Sequence, residues 1–508
     1  MPSSCRKPSD SFAGATVIHK LYLAALTVVV ATGAGCGNDT SSSTPSAAID
    51  YVAGAIEPFI SRGEPMAIEG FGFGTDRGTV RFTRIGGGFV EGIVADSEWT
   101  PFAITTVVPD SAALGREALD VITAAGTELV ATLHVLPRPS FDPATLTWVA
   151  REAYPGAPSG IAVTAATFPS GSGLRTTLYA AGGAEPPLMT ADSGVYLARV
   201  IDGGAGAIEP WTRQPDTSDQ TRSRVLPAPR AFAAATVATP YNSRFPGVAM
   251  YVIGGIDRSG VAQASVLGAS VTPDSVSARF VFLEPLPAPR AGAIAVVRRG
   301  RVYVIGGTDA AGIPQTSVFV GRIGTEGHID GWYVAPSLPG ARAYGGGVAR
   351  DGWVVALGGV ADSVPLGGGT DAGTSRLVTG DTAAVSPLSG FFTGAWGTAG
   401  NVLPDGRSQF ALLDLGPTAL AVGGMYAGAS SNAAETIAAT VTDSALGPFA
   451  GPVGTNRISD LQCLTANAGT LIGPAGVSWR ETDGTTRGLV VGGLDLTTQT
   501  SRGCAWGF

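Results

Sequence analysis

Four arginines recur at one repeated position of this chain, and their chemistry is the most specific that it offers. Arg230 and Arg290 each sit in the segment Leu-Pro-Ala-Pro-Arg-Ala, Arg342 in Leu-Pro-Gly-Ala-Arg-Ala, and Arg407 in Leu-Pro-Asp-Gly-Arg. A guanidinium presents a planar fork of N–H donors that matches a carboxylate, so four of them around one mouth would suit a carboxylate or a sugar acid. The same fork also ties backbone carbonyls together, and both readings stand. Asp257, Asp309 and Asp362 follow a second repeated feature, either as an acidic rim that meets a ligand or as solvated loop carboxylates. Ser265, Ser317, Ser375 and Thr436 each precede an apolar run and read as loop-to-strand hydrogen-bonders.

Other chemistry is missing from the pattern. The only histidines are His19, His134 and His328, and no nucleophile elbow, phosphate loop or metal-spaced His/Cys cluster occurs. The expectation is therefore a protein with no catalytic residues, no metal and no cofactor. A net charge of −8 and a pI near 5.0 argue against nucleic acid or an anionic membrane surface as electrostatic partners.

The elements that hold the arginines come in a repeat. A short apolar run closes on two glycines six times, at Gly182-Gly183, Gly254-Gly255, Gly306-Gly307, Gly358-Gly359, Gly423-Gly424 and Gly492-Gly493. Gly254 to Gly306 and Gly306 to Gly358 are each 52 residues. From Arg290, Arg342 and Arg407 the step to the next first glycine is 16 residues each time. A period of this size built from short strands is how a propeller shows itself, with four strands to a blade. Glycine is required where blades converge and backbones crowd.

These features resemble the Kelch repeat, in which a strand ends in Gly-Gly and an aromatic follows in the outer strand. The resemblance runs from about Phe141 to Phe508 and implies an all-β fold. Thr145–Arg151 has no glycine pair before it, and only one strand follows Gly493. The two ends are expected to complete one blade together and to close a six-bladed ring. Trp148, Trp211, Phe282, Trp332, Trp396 and Phe449 are the expected outer aromatics, packed between blades. The Kelch-like copper oxidases need two His ligands and a Tyr linked to Cys, and this chain lacks that set.

Ile49 to Pro137 has another style, with short strands about ten residues apart: Met66–Gly74, Thr79–Thr83, Trp99–Val108, Leu119–Thr123 and Leu129–Leu136. That spacing predicts a small antiparallel sandwich. Pro58, Gly70–Gly74 and Val108-Pro109 resemble the IPT/TIG immunoglobulin-like domain, whose members act as spacers or interaction modules.

The amino end reads as an export leader, Met1–Gly35, with basic residues before the apolar run Leu21–Ala34. Fourteen residues are too few to span a bilayer permanently. Thr-Gly-Ala-Gly-Cys resembles the lipid-attachment site of a bacterial lipoprotein, which implies a lipid on Cys36 and an outer-membrane envelope location; ordinary leader cleavage with a free Cys36 is the other reading. Residues 37–48 form a polar tether. Cys463 and Cys504 then remain as an even pair for one disulfide in an oxidising compartment. The resulting domains are 1–35, 36–48, 49–137 and 142–508. Together these point to a monomeric, non-enzymatic binding or scaffold protein of the cell envelope, touching the membrane only through its lipid. Its partner would be a protein or a glycan held by propeller-face loops. The alternative is a carbohydrate-active enzyme, sialic-acid mutarotase-like, that uses the arginines.

Overall fold

The computed structural model describes residues 47–508, apart from 54–57, 158, 171–172, 186–189, 202, 218, 220–221, 239–246, 278, 363–375, 387–388, 427–435, 459–470, 496–499 and 502. The expected leader, Cys36, most of the tether, Ser375 and Cys463 lie outside the described residues. No helix among the described residues is long and apolar enough to cross a membrane.

The amino-terminal sandwich places Ala48–Val52, Pro65–Phe71 and Ala103–Val107 in one sheet. Phe59–Ser61, Glu128–Leu136, Gly115–Ile122, Thr79–Thr83 and Phe89–Glu91 form the other. Val80, Phe82, Ile104, Leu119, Val121 and Leu133 alternate inward along their strands and share one core, as expected when one face of each sheet is buried. Phe59–Ser61 runs parallel to Glu128–Leu136, the one parallel pair among the described strand pairings of this sandwich.

Of the nine further sheets among the described residues, six stand in a propeller-like arrangement. Their innermost strands are Ala162–Ser170, Ala234–Ala238, Ile294–Arg298, Gly346–Arg350, Ala411–Asp414 and Ala475–Arg480. Each contacts the next, and the last contacts the first, so the circle is closed. The third sheet shows the pattern in full, with Ile294–Arg298, Arg301–Ile305, Val318–Ile323 and Ile329–Ala335 paired antiparallel in chain order. In the sixth sheet the outer strand is Val149–Arg151, paired with Ala505–Gly507. The sheet is thus completed by a strand that precedes the first of the six in the sequence.

All six glycine pairs take positive φ at both residues, from +60° to +105°. The reason is an inter-sheet bond. The second glycine's N–H donates to the carbonyl of the arginine that opens the following sheet: Gly183 to Arg230, Gly255 to Arg290 and Gly307 to Arg342, each at 2.8 Å, and Gly359 to Arg407 at 2.7 Å. A Cβ on the first glycine would meet that same carbonyl oxygen, at 2.1 Å for Gly182 and 2.2 Å for Gly306. This contact links the glycine repeat to the arginine repeat.

Of the expected outer aromatics, Trp148, Trp211, Trp396 and Phe449 are buried and Trp332 is partly buried. Phe282 is the exception, 61% exposed. Its strand is only Val281–Phe282, and the neighbouring Phe280 enters the core in its place.

Candidate functional site

The four arginines do not ring an open mouth. Their side chains are buried at 1–4% exposure inside the sheets, and their terminal nitrogens donate there. Arg230 Nη2 donates to Ser265 Oγ and Arg290 Nη2 to Ser317 Oγ. Arg342 Nη2 donates to Asp381 Oδ2 at 2.7 Å and its Nη1 to the Gly358 carbonyl. Arg407 Nη1 donates to the Ala421 carbonyl at 3.3 Å. Burial holds Arg230, Arg290 and Arg342 below the usual arginine range, opposed by Asp257, Asp309 and Asp381 respectively. The reading of these arginines as ligand-binding forks is corrected to that of internal ties. Ser265 and Ser317 are partners of those ties.

The acidic positions are likewise loop-builders. Asp257 Oδ1 accepts from the N–H groups of Ser259 and Val261, while Oδ2 accepts from Gln263 Nε2. Asp309 repeats this with Ala311, Ile313 and Gln315. These side chains shape their turns. Asp362 is exposed. Thr436 accepts from Trp148 Nε1 at 3.0 Å and so helps to lock the closing strand. Cys504 is disulfide-bonded.

The site that the structure builds lies two residues beyond each arginine. Gly160, Phe232, Gly292, Tyr344, Gln409 and Gly473 stand one per sheet at the start of the innermost strands, all with φ between +52° and +62°. Their backbones join head to tail around the axis. Phe232 N–H donates to Gly160 O at 2.8 Å, Gly292 to Phe232 at 2.9 Å, Tyr344 to Gly292 at 2.7 Å, Gln409 to Tyr344 at 2.8 Å and Gly473 to Gln409 at 2.9 Å. Of seven non-glycine residues with positive φ among the described residues, three are in this ring. Each such residue costs on the order of 1–3 kcal/mol, and strain of this kind gathers at functional sites.

Around this ring lies an axial cavity of about 220 Å³. Its wall is of small residues, such as Ala162, Ala233 and Gly346, together with Phe232, Tyr344 and Gln409. The two aromatic rings meet edge to face, 5.8 Å between centroids and 84° between planes. Phe232 lies over Gly160 and Tyr344 over Gly292, so a Cβ at either glycine would fall within 2.8 Å of the aromatic atoms. Burial pushes the Tyr344 hydroxyl up to about 12, with the Thr308 hydroxyl opposing. It stays protonated at neutral pH, and its oxygen is buried with no hydrogen-bond partner among the described residues. Gln409 Nε2 reaches Met425 S at 3.7 Å, which fixes its amide. Neither carboxylate nor imidazole lines this cavity.

No protein-family model matches the chain, and no curated protein matches it. Among solved structures, that of YjhT is similar over 69% of this chain and 95% of its own, at 15% identity and a TM-score of 0.44. The expectation of a non-enzyme rested only on motifs missing from the sequence, and it is withdrawn. The chain is an all-β, propeller-like protein with a distant structural likeness to YjhT.

Proposed function

We propose that this is a carbohydrate-active protein of the bacterial envelope, working on a single sugar ring in the axial cavity. The fold beneath it is read as a six-bladed Kelch-type propeller (142–508) behind an IPT/TIG-like sandwich (49–137). The observation that carries the reading is the strained ring that turns Phe232, Tyr344 and Gln409 onto one cavity on the axis. Aromatic faces pack on the C–H faces of a sugar, and an amide and a phenol satisfy its hydroxyls. A volume of about 220 Å³ falls below the roughly 300 Å³ at which drug-sized sites begin, so one monosaccharide is the upper limit.

The chemistry that asks least of such a wall is interconversion of anomers. A proton leaves the anomeric hydroxyl for water, the ring C–O bond breaks, and the ring oxygen takes a proton. Closure on the other face of the carbonyl reverses these steps. The reaction already proceeds in water, and one donor suffices to speed it; the unpartnered Tyr344 hydroxyl would serve once its ring turns toward the sugar. Exchange NMR of free sugars with the purified chain tests this. Faster anomer exchange is expected, and Tyr344→Phe should lower the enhancement about 100-fold while leaving the fold intact. If no sugar exchanges faster than in buffer, or Tyr344→Phe is as active as the parent, the assignment fails.

The anchor rests on the leader and Thr-Gly-Ala-Gly-Cys at its end. Replacing Cys36 by alanine is expected to move the protein from the membrane fraction to the soluble one. Unchanged fractionation would sink the lipid assignment.

A further inference from the structure

A second cavity lies away from the axis, beside the strand that completes the sixth sheet. Its volume is about 680 Å³, within the usual span of small-molecule sites. It exists because the sixth sheet's outer two strands, Ala505–Gly507 and Val149–Arg151, lie far apart in the sequence. Ile323 and Ile329, at the same corner of the third sheet, are joined by a tight turn; no turn joins Gly507 to Val149. The corner is left as a cleft, floored by Phe508 and walled by Thr145, Thr485 and two arginines, Arg151 and Arg487.

Those arginines are placed for an anion. Arg151 donates from Nη2 to the Ala205 carbonyl, and its Nε is buried with no hydrogen-bond partner among the described residues. Arg487 Nε lies 3.4 Å from a Glu481 carboxylate oxygen, a long contact that leaves the rest of its fork uncommitted to that carboxylate. Burial holds Arg151 below the usual arginine range, and the charge of Arg487 adds to this. Both guanidiniums line the same cleft, where a carboxylate could be met by each. Asp142, the acid of the lining, is engaged as an N-cap, accepting from Ala144 N–H at 2.9 Å. Threonine hydroxyls and the Phe508 ring complete a wall that suits a polyhydroxyl ring more than a bare inorganic ion.

We infer that this cleft binds a carboxylate-bearing sugar through Arg151 and Arg487. The inference rests on its own residues and stands whether or not the axial cavity takes a sugar. Calorimetry of the full chain with glucuronate, glucose and inorganic phosphate tests it. Glucuronate is expected to bind at least tenfold more tightly than glucose, with affinity that falls as salt rises. Arg487→Gln should weaken it about tenfold or more, and Arg487→Lys less. Thr485→Glu, which adds a carboxylate and removes no arginine, should also abolish binding, so the result does not hang on one variant's folding. Phe282→Ala, at an exposed position that lines neither cavity, should leave glucuronate affinity unchanged. Equal affinity for glucose, insensitivity to Arg487→Gln and Thr485→Glu, or phosphate bound as tightly as glucuronate would each overturn the proposal.

Discussion

Replacing Arg342 by methionine is expected to lower the free energy of unfolding by about 3–5 kcal/mol, the cost of breaking a buried ion pair from one side. Arg342 and Asp381 side chains are only 1% and 4% exposed, and they meet at 2.7 Å. Without the guanidinium the Asp381 carboxylate stays buried, and the Gly358 and Thr379 carbonyls lose their donor as well. The double variant Arg342→Met, Asp381→Leu removes both charges and should recover most of the loss. Arg290→Met is the control. Its partner is the Ser317 hydroxyl, so no charge is stranded and the cost should be clearly smaller. Urea unfolding of the parent and the three variants gives the comparison. Equal losses for Arg342→Met and Arg290→Met would refute the buried-pair account. The result bears on the axial site too, since Arg342 stands two residues before Tyr344 and its carbonyl accepts from Gly307.

This arginine also shows where a sequence stops being informative. The glycine pairs and the 16-residue step to them were legible because each residue type answers a backbone demand. Positive φ and a 2.2 Å approach to Arg342 O leave no room for a side chain at Gly306. The direction of a guanidinium carries no such signature. Arginine at a repeated position satisfies an inward tie and an outward fork equally well, and only the packed sheets show Ser265 and Ser317 waiting inside. The axial ring stayed hidden for the opposite reason. Phe232, Gly292, Tyr344 and Gln409 share a conformation and no chemistry, so nothing in their types repeats. Their constant place two residues after each arginine was the available signal. Phe282 failed because its outer strand is two residues long, too short for alternation to decide which aromatic turns inward.

Ring closure carries the other large effect, and Trp148 is its anchor. The side chain is 1% exposed, its Nε1 donates to Thr436, and its ring stands edge-on to Phe508 at 5.1 Å. Asn456 grips the same residue's backbone, Oδ1 accepting from the Trp148 N–H and Nδ2 donating to its carbonyl, each at 2.8 Å. Trp148→Ala is expected to cost about 3–5 kcal/mol, the range for a fully buried large aromatic. Trp332→Ala, at a comparable outer position but only partly buried, should cost far less. Thermal melts distinguish the two, and similar losses would show that closure adds nothing beyond ordinary packing. The consequence reaches the cleft, because Val149–Arg151 carries Arg151 three residues beyond Trp148. A loosened closing strand moves one of the two guanidiniums, so Trp148→Ala should weaken glucuronate binding while Trp332→Ala leaves it alone. Chain closure and anion recognition would then be two properties of one strand.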